Sequence, residues 1–254
     1  MPVQNRSRSL PSADRLARCG RPHGAGRTMS TADADGTRRR AQLTRPAILE
    51  AATRLAAEGR PLTFRSLGTA LDADPTAVYR HFRDKEDLVC GVLDRLLVEA
   101  EGQVDLSGSW REQIHQLAEL TWGVCARYPS VCAEVHVLTT GGPGETACME
   151  LVLERLQDAG LDPQDAVRFY AVVSSFIVSV GSSVAVERLR VAAGSPRTSW
   201  TGELGKVDAQ QFPVVAGLRG DLMALEDRAV HRMGIEVILD AAAAAARPSS
   251  SGRS

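Results

Sequence analysis

Cations and hydrogen-bonding side chains fall close together in the window Leu62–Leu88, which reads Leu-Thr-Phe-Arg-Ser-Leu-Gly-Thr-Ala-Leu-Asp-Ala-Asp-Pro-Thr-Ala-Val-Tyr-Arg-His-Phe-Arg-Asp-Lys-Glu-Asp-Leu. Leu67, Leu71, Val78 and Phe82 can bury against flanking helices, while Arg65, Thr76, Arg80 and Lys85 stay outside. One face of the window is therefore core and the other is suited to a polyanion. An α-helix fits the DNA major groove, and a short helix entering by its N-terminus brings small residues and backbone amides close to base edges and phosphates. Pro75, Thr76 and Ala77 are small enough for that approach. The bland alternative is a helical hairpin with a solvated basic face.

The elements that must position these residues read as helices throughout. Thr44 can cap a helix with Pro46 in its first turn and Ile48, Ala51, Ala52, Leu55 and Ala56 on one face, ending at Gly59. A short helix from Thr63 to about Leu71, a tight turn at Asp72–Asp74 and a second short helix from Pro75 to His81 follow. Asp84, with Asp87 three residues on, opens a longer helix to about Gly102. After a break at Ser107–Ser109, helical patterns run over Trp110–Tyr128, Pro129–Leu138 and Gly144–Ala159. Asp162-Pro163-Gln164-Asp165 starts a helix expected to reach Ala193. Gly194–Gly220 reads as loop, and a last helix is expected from Asp221 to Ala246, with Leu225, Ala229, Met233, Val237 and Ala241 at steps of four. No alternating strand pattern appears, so the fold class is all-α.

Charge divides along the chain. Residues 1–86 carry 16 Lys and Arg against 9 Asp and Glu, a net +7, whereas the remainder carries 14 against 22, a net −8. A basic front and an acidic remainder suit a polyanion partner for the front alone. Five cysteines, at 19, 90, 125, 132 and 148, form no Cys-x-x-Cys pair and read as free thiols of a reducing, cytoplasmic compartment. The uncharged stretch Phe169–Val186 contains five serines, which suits a buried helix with small-residue contacts better than a membrane span. Residues 1–40, rich in Arg, Ser, Gly and Pro, read as a disordered basic tail. Met29 offers an alternative translation start that would leave out residues 1–28.

The window closely resembles the signature of the tetracycline-repressor (TetR) family, in which a short helix, a turn and a Tyr-x-His-Phe-x-x-Lys run precede a long connecting helix. Here that run is Tyr79-Arg80-His81-Phe82-Arg83-Asp84-Lys85. The specific match covers residues 45 to about 97. It implies an N-terminal helix-turn-helix domain over residues 41–90, a helical effector-binding and dimerisation domain over 91–247, and a short disordered tail over 248–254. It also implies that Pro75, Thr76 and Ala77 face bases, that Tyr79, His81 and Lys85 contact phosphate, and that Thr63, Arg65 and Arg80 add contacts to double-stranded operator DNA. Where the family's turn usually has Gly, this chain has Asp72, a residue that tolerates the left-handed conformation. Asp74 puts an acid near the expected phosphate path, or caps the recognition helix.

Trp122, Cys125, Tyr128, His136, Met149, Phe169, Tyr170 and Phe176 are the bulky or polarisable residues of the acidic portion. They suit an ordinary core, and the resemblance implies that some line a pocket for a small, largely apolar effector between the helices of residues 110–190. His115, His136 and His231 lack paired ligands at metal spacing, so no metal or cofactor is expected. Ser174-Ser175 and Ser182-Ser183 sit in an apolar helix without a Gly-x-Ser-x-Gly elbow, which argues against an enzyme. The expectation is a repressor that acts as a homodimer through the Asp162–Ala193 and Asp221–Ala246 helices and is released by its effector. The alternative is a DNA-binding dimer whose C-terminal part only dimerises or binds another protein.

Overall fold

A computed structural model describes residues 43–134, 139–195, 204 and 207–246, and all regular structure among them is helical. In chain order the helices are α1 (Arg45–Ala57), α2 (Phe64–Ala70), α3 (Pro75–Val78), α4 (Lys85–Glu101), α5 (Trp110–Arg127), α6 (Pro129–Cys132), α7 (Pro143–Asp158), α8 (Pro163–Ala192), α9 (Pro213–Gly217), α10 (Arg219–Ala224) and α11 (Asp227–Ala245). The expected tails at 1–40 and 248–254 lie outside the described residues, as do His136 and Cys19.

Local capping sets most helix starts. Thr44, Thr63, Asp74, Asp84, Ser109 and Asp162 each accept a hydrogen bond from a backbone N–H of the first turn that follows. At Thr63 and Ser109 the bond is reciprocated by the side chain three residues on, Ser66 and Glu112.

Four expectations need correction. The recognition helix is one turn, Pro75–Val78, and Tyr79–His81 continue only as a turn whose His81 and Phe82 amides both donate to the Val78 carbonyl. α6, expected to run to Leu138, ends at Cys132, and residues 135–138 lie outside the described residues. The stretch 194–220 is not all loop, because Pro213 opens α9; at a helix start proline loses no hydrogen bond. The last helix starts at Asp227, not Asp221, because Leu225 and Glu226 are extended, with ψ of 128° and 130°. Its inward stripe is His231, Ile235, Leu239 and Ala242, and the stripe through Leu225, Met233 and Val237 faces outward.

Two apolar clusters result. The first joins α1 to α4 through Ile48, Leu55, Leu67, Val78, Phe82, Leu88 and Leu96, with Val131 of α6 added. The second joins α5, α7, α8 and α11 through Ile114, Leu117, Leu156, Val173, Ile235 and Leu239. The division expected near residue 90 falls inside α4, so no linker separates them. Asp94, on the side of α4, accepts from the amides of Gly144 (3.0 Å) and Glu145 (3.1 Å) and from the Thr140 hydroxyl (2.9 Å), so an α4 carboxylate caps the start of α7. The chain comes close enough for this because Gly144 has no Cβ; one there would collide with the Asp94 carbonyl oxygen.

α8 passes the length and hydropathy test for a membrane span. It packs on α5, α6, α7 and α11, with Ala166, Val173, Gly181, Ser182 and Ala185 buried and Val167, Val172, Val186 and Val191 exposed. It is therefore buried along one face, where its small residues make the contacts.

α11 is held to α5 by charge around a buried ring. Glu119 accepts from Arg228 at 2.7 Å and from Arg232 at 2.8 Å, and these guanidiniums hold its carboxyl down to about 2. Arg111 pairs with Glu236 and Asp240. Between these pairs His231, 1% exposed, stacks on Trp122 at 4.8 Å and lies parallel to Phe176 at 6.0 Å. Its Nε2 lies 3.3 Å from the Ala118 carbonyl oxygen and its Nδ1 has no partner. Burial holds this imidazole below its ordinary range, against weaker opposing pulls from the Ala118 carbonyl and Glu119.

Gly144→Ala forces α7 off α4 and should cost about 1–3 kcal/mol in urea denaturation, whereas Gly123→Ala, with open space around it in α5, should stabilise by about 0.5–1 kcal/mol. The fold accepts His231 neutral, so its contribution is complete above the ordinary pKa of 6.5 and is lost as pH falls below that value. The urea midpoint should therefore drop between about pH 7 and pH 5, and His231→Phe should flatten the drop. The Glu119 pairs act in a separate window, lost only as pH falls from 4.5 towards about 2.

Candidate nucleic-acid interface

The turn between α2 and α3 is made by Asp72, whose φ of +49° is the left-handed conformation that a glycine adopts more freely. Asp74 then caps α3: its Oδ1 accepts from the Thr76 amide at 2.8 Å and from the Thr76 hydroxyl at 2.7 Å. These bonds hold its carboxyl below the usual carboxylate range, so it stays ionised at neutral pH. The acid beside the expected phosphate path thus fixes the first turn of the recognition helix and the rotamer of Thr76.

All nine residues expected at the interface are accessible. Thr63, Arg65, Pro75, Thr76, Tyr79, Arg80 and Lys85 are exposed, and Ala77 and His81 are half-buried. They occupy α2, α3 with the turn after it, and the first position of α4. The Thr63 hydroxyl is engaged in the capping box. The Tyr79 ring stands edge-on to Phe64 at 4.1 Å, which steadies it while 58% of the residue remains exposed.

Arg45, outside the nine expected residues, holds this edge in place. One guanidinium nitrogen donates to the His81 carbonyl at 2.7 Å, the other to Asp87 Oδ1 at 2.9 Å, and the group lies 4.1 Å above the Phe82 ring. A single side chain at the start of α1 thereby ties the end of the recognition turn to the start of α4. Only a planar fork can do this, which a lysine lacks. Asp87 accepts also from the Arg83 amide at 3.1 Å, and the Arg45 contact is the main reason its carboxyl sits below the usual range. No local pattern announces this role, because the partners lie 36 and 42 residues away.

The effector candidates do not converge. Trp122 and Phe176 flank His231, Phe169 and Tyr170 pack on the second cluster, and Tyr128 packs on the first. Cys125 meets Cys132, and Met149 is half-buried on α7. An open cleft of about 1330 Å³ lies instead between α8 and the α10–α11 region, with Ser175, Ser179, Val186, Arg190, Met223 and Leu225 among its lining. A smaller one of about 240 Å³ between α5 and α7 is lined by Gln113, Leu151, Glu154 and Arg155, among others. None of the described candidates lines either cleft. His231 was missed as well; its signal was an imidazole in the otherwise apolar four-residue stripe with Ile235 and Leu239. Among the described residues no three His, Cys, Asp or Glu side chains are grouped to hold a metal ion.

This architecture has known counterparts. An HTH-type transcriptional regulator of Saccharopolyspora erythraea is 29% identical over 177 residues, covering 69% of this chain and 74% of the relative. The HTH-type transcriptional repressor DrrR1 of Streptomyces coeruleorubidus is 28% identical over 207 residues, covering 78% and 76%. Among solved structures, the TetR family protein ActR of Streptomyces coelicolor in complex with (S)-DNPA shares the fold with a TM-score of 0.67 at 20% identity, over 82% of this chain and all of that one. Residues 105–244, more than half the chain, match the family described as tetracyclin repressor-like, C-terminal domain. With the helix-turn-helix ahead of that segment, the chain belongs to the TetR family of transcriptional regulators.

Proposed function

We propose that the chain is a non-enzymatic, cytoplasmic repressor that binds operator DNA as a homodimer and is released by a small, largely apolar effector. The observation that carries the DNA-binding reading is the accessible edge from Thr63 to Lys85, held as a unit by Arg45 and the Asp74 cap. In this reading Pro75, Thr76 and Ala77 face base edges, Tyr79, His81 and Lys85 take phosphates, and Thr63, Arg65 and Arg80 flank them. Residues 41–90 form the reading head and 91–247 the regulatory portion.

One short recognition turn buries too little surface for high specificity, and a two-fold dimer doubles the site. The outward apolar stripes of α8 (Val172, Val186) and α11 (Met233, Val237) supply the dimer surface. Gly181, Ser182 and Ala185 of α8 are buried within the chain, with the Cys125 thiol against Gly181, and so do not belong to that surface. ActR, solved with (S)-DNPA, supports effector control by likeness of fold. The second reading, a dimer without effector control, is favoured by the packing of Tyr128, Phe169, Tyr170 and Phe176 against the two cores. A metabolite that quenches tryptophan fluorescence and lowers duplex affinity together decides for the first; metabolites of the regulated genes that do neither decide for the second.

Lys85→Ala should weaken binding to every duplex and flatten the salt dependence by about one unit of slope. Changes at Thr76 or Ala77 should instead alter which sequences bind; an unchanged base preference at every operator position would displace the recognition helix from the groove. Sedimentation at micromolar concentration should give a dimer, and Met233→Glu with Val237→Glu should give a folded monomer with much weaker operator binding.

A further inference from the structure

The ammonium at the start of α4 is already in contact with an acid. Lys85 Nζ donates to Glu134 Oε1 at 2.5 Å, across 49 residues of chain. Glu134 stands just past α6, and that helix is anchored by Val131 and Cys132, neither with any exposed surface. Two of the acids nearer in sequence are engaged elsewhere: Asp84 accepts from the Asp87 amide at 2.8 Å, and Asp87 takes Arg45 at 2.9 Å and Arg83 at 3.7 Å. Lys85 therefore draws its counter-charge from outside the helix-turn-helix, out of the acidic portion of the chain.

A carboxylate oxygen on Lys85 makes the contact that a phosphate oxygen would make, a charge-assisted N–H···O bond at a partly exposed site. An ammonium has three donors, so a phosphate can approach while Glu134 is still bound, but two anions then crowd one cation and repel each other. Either Glu134 leaves or the phosphate is held less tightly. We infer that Glu134 is an internal phosphate mimic, which occupies Lys85 in the DNA-free protein and lowers its affinity for any duplex. This rests on the assignment of Lys85 as a phosphate contact. The two side chains are 53% and 40% exposed, the regime of weak ion pairs, so the effect is about two- to fivefold per reading head.

The test is a double-mutant cycle with a fixed mixed-sequence duplex at low salt; no operator is needed, because phosphate contacts do not read sequence. Glu134→Gln keeps the side-chain size and removes the charge. Alone it should tighten binding about two- to fivefold, and in the presence of Lys85→Ala it should do nothing. Equal tightening in both backgrounds would assign the gain to net charge and overturn the pairing, as would no tightening while Lys85→Ala alone still weakens binding. If Lys85→Ala alone leaves affinity unchanged, it is the phosphate assignment itself that fails.

Discussion

The fork of Arg45 is the contact on which the helix-turn-helix depends. α3 is a single turn, and a helix of four residues has no stability of its own, because nucleation costs more than so few hydrogen bonds return. Its shape must be imposed from outside. Asp74 fixes one end, the burial of Val78 and Phe82 fixes the underside, and Arg45 takes the His81 carbonyl at the other end. The same guanidinium grips Asp87, so the recognition turn and α4 are set relative to each other by one rigid, planar group.

α4 carries that arrangement into the rest of the chain. Leu88, Val92 and Leu96 complete the first cluster, while Asp94 caps α7 and Cys148 of α7 points its thiol at the Leu97 carbonyl. Burial pushes that thiol up to about 12, so it stays protonated and behaves as a small apolar group with one weak donor. On the far side of the second cluster, α11 is oriented by ion pairs to α5 and by the stack around His231. Polar contacts thus set the angles between helices whose cohesion is apolar.

The features that could be read from sequence are those whose physics is local. Thr44, Thr63, Asp74, Asp84 and Asp162 are capping residues whose partners lie two or three positions away, and their helices begin where expected. Tertiary choices were not legible. On α11 the series Met233, Val237 and the series His231, Ile235, Leu239 both repeat every four residues, and the chain buries the one that contains the histidine. Arg45, Glu134 and Asp94 act on partners 36 to 51 residues away, and nothing near them in sequence marks them. The break at Leu225 is hidden because Asp221–Glu226 consists of residues that a helix accommodates well.

The capping of α7 by Asp94 also makes α4 a lever. The fulcrum lies nine residues from Lys85, a span of about 14 Å along the helix axis. A tilt of about 5° there moves the start of α4 by about 1 Å, roughly the difference between a made and a lost hydrogen bond. The Gly144 contact leaves no room for a side chain between the two helices at this point. The same helix that caps α7 therefore begins at the edge that carries Lys85.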